Sequence, residues 1–89
     1  MAIIIKADGK TKHTEPINGK VFTLNELQTV VGGYIEIVPI TTGEYTGKLL
    51  VVDEEGKLKA DAQLNIEASK ISGQQIVGQV IVIDRDQIE

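Results

Sequence analysis

The chain has 89 residues, no cysteine, and a formal net charge of −4 from 13 acidic and 9 basic residues. That length leaves room for one domain and one core, which buries only about 60–65% of the unfolded surface. The absence of cysteine removes disulfides, thiolate metal sites and thiol nucleophiles, and fits a reducing cytoplasm. The acidic balance argues against direct nucleic-acid binding, which needs clustered Lys and Arg to displace phosphate counterions. Hydrophobic residues are 42% of the chain and aromatics only 3%, the composition of an aliphatic, β-rich core.

In chain order, Ala2 to Ala7 reads as a strand, and Asp8-Gly9 is a hairpin turn signal. The alternating Lys10 to Glu15 predicts a solvated edge strand ended by Pro16, which cannot donate to a ladder. Phe22-Thr23-Leu24-Asn25-Glu26-Leu27 carries a capping box: Thr23 caps a helix and Glu26, three residues on, reaches back to it. Phe22 and Leu27 form the accompanying hydrophobic staple. Leu24, Leu27 and Val31 share one face at helical spacing, and Gly32-Gly33 stops the helix, which is predicted over 24–31.

Tyr34 to Ile40 is the next predicted strand, with Tyr34, Glu36 and Val38 on one face and Ile35, Ile37 and Ile40 largely on the other. After a polar loop, Lys48 to Val52 runs into Asp53-Glu54-Glu55-Gly56, read as a turn from which Lys57-Leu58-Lys59 returns as a hairpin. A short helix over 65–71 is expected, capped by Asn65 and stopped by Gly73, although Leu64, Ile66 and Ala68 also alternate as in a strand. Gln75 to Asp84 predicts a central strand with Gly78 at a bulge or a close approach, and Arg85 to Glu89 a frayed tail. The fold class is therefore α+β: one domain over 1–89, a small, mostly antiparallel sheet with one clear helix and a second short one. No apolar run approaches the roughly 18–20 residues of a membrane span, and the first residues lack the features of a signal peptide.

Candidate chemistry is sparse. The single histidine, His13, lies among lysines and threonines and reads as a surface residue. Gly43 to Leu49 superficially resembles a phosphate loop. However, its glycines are one residue too close, Leu49 stands where magnesium needs a hydroxyl, and a strand follows rather than a helix. Asp53-Glu54-Glu55 lacks the spaced oxygens of a calcium loop. Ser69 and Ser72 have no base at motif spacing. No catalytic, cofactor-binding or metal-ligating set is expected. Tyr34 and Tyr45 are candidate contacts because aromatics favour interfaces and pockets.

The stretch NGKVFTLNELQTVVGGYIEIVPI over 18–40 resembles a family of small proteins common in bacteriophage, prophage and plasmid genomes and described only as a domain of unknown function. The likeness continues through LLVVDEEGKL at 49–58, Leu64-Asn65, and Ile76 to Val82. Relatives commonly carry a proline before the leucine-asparagine pair and arginines after it. Here Gln63 precedes the pair and Ile66-Glu67 follow, leaving Lys70 as the nearest basic substitute. The resemblance implies a non-catalytic accessory protein that counters host defence. One form of that expectation is a homo-oligomer sequestering a nucleotide-type immune signal through Lys57, Lys59 and Lys70, with Asn65 as polar reader. The alternative is an inhibitor or adaptor that docks a host enzyme through a sheet edge or an acidic face of Glu36, Glu44, Asp53, Glu54 and Glu55.

Overall fold

A computed structural model describes residues 1–59 and 61–89. Its centre is a five-stranded antiparallel sheet: β1 (Ala2–Ile5), β2 (Thr11–Thr14), β3 (Ile35–Pro39), β4 (Leu49–Asp53) and β5 (Val80–Ile83), in spatial order β2-β1-β5-β4-β3. Helix α1 (Leu24–Val31) covers one face and α2 (Ile66–Ser72) the other. With both faces covered, the inner strands need apolar residues at every position rather than at alternate ones. That is why Leu49-Leu50-Val51-Val52 and Val80-Ile81-Val82-Ile83 are buried throughout.

The two faces sort by parity. Ala2, Leu49, Val51, Ile81 and Ile83 pack with Phe22, Leu27 and Val31 beneath α1. Ile3, Ile5, Leu50, Val52, Val80 and Val82 pack with Ala68 and Ile76 beneath α2. The expected hairpin β1–β2 is present, paired from Ala2 with Thr14 to Ile5 with Thr11, and β2 is an edge strand. The expected central strand is β5, hydrogen-bonded to β1 on one side and β4 on the other.

The capping box forms as expected: the Thr23 hydroxyl accepts from the Glu26 amide at 3.2 Å, and the Glu26 carboxylate accepts from the Thr23 amide at 3.2 Å. Gly32 then closes α1 with φ +84, a left-handed conformation that glycine adopts without a Cβ penalty. Leu27 and Val31 are buried as predicted, whereas Leu24, at the first helical position, is 54% exposed.

Four expectations are corrected. Ile40 lies with Val38 under α2, two residues away and therefore on the same side of the strand. Lys57-Leu58-Lys59 does not return as a strand. Gly56–Leu58 instead forms a single 3-10 turn, and Gly56 packs against Val77, where a Cβ would meet Cγ2 at 2.8 Å. Gly56 is thus needed for close approach rather than for a left-handed turn. Gly78, with φ +81, precedes β5, which is confined to four residues. The C-terminal residues are not frayed: the Phe22 amide donates to Gln87 O at 2.6 Å, the Glu89 amide donates to Phe22 O at 3.2 Å, and Gln87 is buried.

Candidate binding surface

The helix-stopping glycines do more than end α1. Gly33 has ordinary backbone angles, but a Cβ placed on it would lie 3.0 and 3.1 Å from the two carboxylate oxygens of Asp53. The Gly-Gly pair therefore divides two tasks: Gly32 turns the chain, and Gly33 lets the end of β4 approach the end of α1. Asp53 is buried there, accepts from the Glu55 amide at 2.9 Å, and pairs with the Lys59 ammonium. Lys59 also donates to the Gly32 carbonyl at 2.8 Å, placing a cation at the negative end of the helix dipole. The Gln79 side chain donates from Nε2 to Val30 O at 2.9 Å. The end of α1 is thus clipped from two directions.

This junction forms the floor of an open cleft of about 460 Å³. Gly32, Gly33 and Tyr34 make one wall with Gln28; Asp53, Glu55, Leu58 and Lys59 make the other. Tyr34 is 66% exposed and Leu58 is 81% exposed, so the mouth presents an aromatic ring and an aliphatic side chain to solvent. The charge around it is predominantly negative: Asp53, Glu54 and Glu55 lie on one short segment, with Glu36 beside Glu54 in the adjoining small cavity. Lys57 lines that same adjoining cavity, and Lys59 is already engaged by Asp53 and the helix end.

A second cleft, about 350 Å³, lies between the β1–β2 hairpin, the 42–45 loop and α2. It brings together Tyr45 and Lys70 with Thr11 and Thr42, but also Glu44 and Glu67. Tyr45 is half-buried against the α2-side core, and burial, reinforced by the Glu44 carboxylate, pushes its phenol above the ordinary tyrosine range. Lys70 faces Glu67 across 3.9 Å.

The six residues singled out from the sequence thus fall into three places. Tyr34 and Lys59 share the first cleft, Lys57 lies beside it, and Tyr45 and Lys70 share the second. Asn65 belongs to neither, and its expected part as a polar reader is corrected. It is fully buried; its Nδ2 donates to Ile5 O at 3.1 Å and Gly78 O at 2.8 Å, while Oδ1 caps α2 by accepting from the Ala68 amide at 3.0 Å. Every polar atom of that side chain is used within the fold. Ser69 is likewise engaged, donating to Asn65 O at 2.7 Å and accepting from the Ile76 amide at 2.9 Å. His13 is exposed on β2. Sequence reasoning missed the pairing of Asp53 with Gly33. The available signal was the second glycine, since one suffices to stop a helix.

Among the described residues, no group of three or more His, Cys, Asp or Glu is placed to hold a metal ion, and no helix is long and apolar enough to cross a membrane. With this geometry established, the comparison with known families is direct: a family described as a domain of unknown function, DUF3846, matches residues 1–89. The chain belongs to DUF3846. No curated protein and no solved structure matches it. Within this DUF3846 chain, the stretch Val31-Gly32-Gly33-Tyr34 passes from the core straight into a wall of the larger cleft.

Proposed function

We propose that this chain is a non-catalytic accessory protein of a phage or another mobile element, acting in the host cytoplasm, that counters host defence by docking a host protein. The contact is the Tyr34 cleft with the acidic segment beside it, and the target is a basic surface. The charge of that cleft carries the reading. Glu55 lines the cleft with the exposed Tyr34 ring, Glu36 and Glu54 lie in the adjoining cavity, and Lys59 on the cleft wall is already paired with Asp53 and the Gly32 carbonyl. Such a site attracts ammonium or guanidinium groups, which also stack favourably on a tyrosine face. Complementary charge raises association rate and selectivity more than affinity, so capture of the target is strongly salt-dependent. The test is affinity capture from host lysate with the wild-type chain and with Glu36, Glu54 and Glu55 changed to lysine. All three are exposed, so folding is preserved. A specific partner lost on charge reversal and at high salt supports the reading. Capture indifferent to both overturns it.

A second reading draws on the other cleft. Tyr45 and Lys70 lie together there, a ring and a cation that suit a base and a phosphate of a nucleotide-type signal. Because this cleft is open and also holds Glu44 and Glu67, a second copy of the chain would be needed to enclose the ligand. Cyclic di- and trinucleotides at about 100 times Kd would add about 2.7 kcal/mol and raise the melting point by roughly 10 °C or more. A flat thermal-shift screen removes this second reading.

A further inference from the structure

The two edges of the sheet differ in a way the fold itself does not require. β2, at one edge, is Thr-Lys-His-Thr, a polar and cationic strand of the kind that discourages edge pairing. β3, at the other, is Ile-Glu-Ile-Val-Pro: it has no cation, and its edge is blunted only at its end, by Pro39, which has no N–H to offer. Its outward backbone groups follow from the ladder. Tyr34 O accepts from the Glu54 amide at 2.8 Å, and the Ile40 amide donates to Lys48 O at 2.9 Å, so the even-numbered residues face β4. Antiparallel alternation then turns the N–H and C=O of Ile35 and Ile37 away from the sheet. Ile37, 38% exposed, continues the apolar α1-side surface to this edge, while Glu36 stands on the α2 side beside Glu54.

We propose that β3 is a docking edge for an extended segment of a partner protein that alternates aliphatic and basic residues. The backbone of that segment pairs with the outward groups of Ile35 and Ile37. Its aliphatic residues lie beside those two side chains, and its basic residues lie beside Glu36 and Glu54. The charge complementarity selects a cationic segment, and the strand period fixes the alternation. The edge leads directly into Tyr34, so the same segment, running on, places its next cationic side chain at the mouth of the larger cleft. This inference rests on the docking reading above and specifies the partner's backbone and pattern.

The test uses the full chain, 15N-labelled, titrated with a synthetic capped peptide of alternating valine and arginine, and with its valine–glutamate counterpart. The arginine peptide is expected to shift the Ile35 and Ile37 amides and slow their hydrogen exchange. The glutamate peptide is expected to bind at least about tenfold more weakly, a difference of about 1.4 kcal/mol. Ile37→Lys, which adds an edge-blocking charge at an exposed position, abolishes the response and leaves the remaining spectrum folded. Shifts confined to the cleft around Tyr34 would overturn the edge pairing while leaving the docking reading standing. Equal response to both peptides, or none at millimolar concentration, would overturn the proposal. So would self-association through β3 without peptide, read by sedimentation as dimers lost in the Ile37→Lys variant.

Discussion

Gly33 and Asp53 are packed so closely that a single methyl group on the glycine would fall 3.0 Å from a carboxylate oxygen. The contact joins two elements 20 positions apart in sequence, the end of α1 and the end of β4, and it shapes the floor of the larger cleft. Gly33→Ala is therefore expected to destabilise the chain by about 1–3 kcal/mol through overpacking. Gly32→Ala is expected to cost about 1–2 kcal/mol for a different reason, its left-handed φ of +84. The two mechanisms separate in an Asp53→Ala background, measured by urea unfolding. There the Gly33 cost shrinks and the Gly32 cost persists. Equal costs in both backgrounds would remove the close-approach argument.

Lys59 holds the 53–59 segment against α1 through Asp53 and the Gly32 carbonyl. Lys59→Met keeps much of the aliphatic stem but leaves the buried Asp53 carboxylate without its cation. Because the lysine is partly exposed, the expected loss is about 1–2 kcal/mol, short of the value for a fully buried pair. The matching observation is faster hydrogen exchange at the Glu55 amide, which donates to Asp53.

Asn65→Ala removes a helix cap and leaves the Ile5 and Gly78 carbonyls without their buried donor, so a loss of about 2–4 kcal/mol is expected. Asn65→Asp is the more telling variant. It keeps the cap but sets a carboxylate against those two carbonyls, which favours its protonated form. Its melting point is expected to rise toward wild type as pH falls from 7 to 5, the reverse of the ordinary acid trend. A pH-independent deficit would contradict the assignment.

Two half-buried carboxylates shape the acid limit. Asp84 is held below the ordinary aspartate range first by its hydrogen bond from Lys48 at 2.5 Å and then by that from the N-terminal amine. Glu26 is held below its ordinary value by the Ile17 and Thr23 amides. A lowered folded pKa means that the stabilisation is complete above the unfolded value and disappears as pH drops through the folded one. Stability is thus expected to be flat from pH 7 to about 5 and to fall below about pH 4. Urea midpoints across that range check it, and Asp84→Asn should flatten part of the acid decline.

What was legible in the sequence was what short stretches decide. The capping box at Thr23 and Glu26, the Asp8-Gly9 turn and the all-apolar run of β5 each carry their own local chemistry, and each formed as read. The place of Gly56 was not legible, because it packs against Val77, 21 positions further along the chain. Asn65 shows both sides. Its cap was readable from the neighbouring residues, while its bond to Ile5, 60 positions away, was not, and that bond is what removes it from the candidate surface. For the same reason Tyr34 and Lys59 were recognisable as contact-forming types, but their meeting in one cleft was not. Charge composition said nothing of which face would gather the carboxylates.

The strand order also dictates how such a chain can assemble. β5 comes latest of the strands, yet it alone joins the β1–β2 hairpin to the β3–β4 pair. Two hairpins can zip early from local contacts, but neither has a covered edge until β5 slots between them, and that step must close a loop spanning nearly the whole chain. Synthesis from the N-terminus therefore delivers the keystone last, and the half-sheets must wait, exposed, until it arrives.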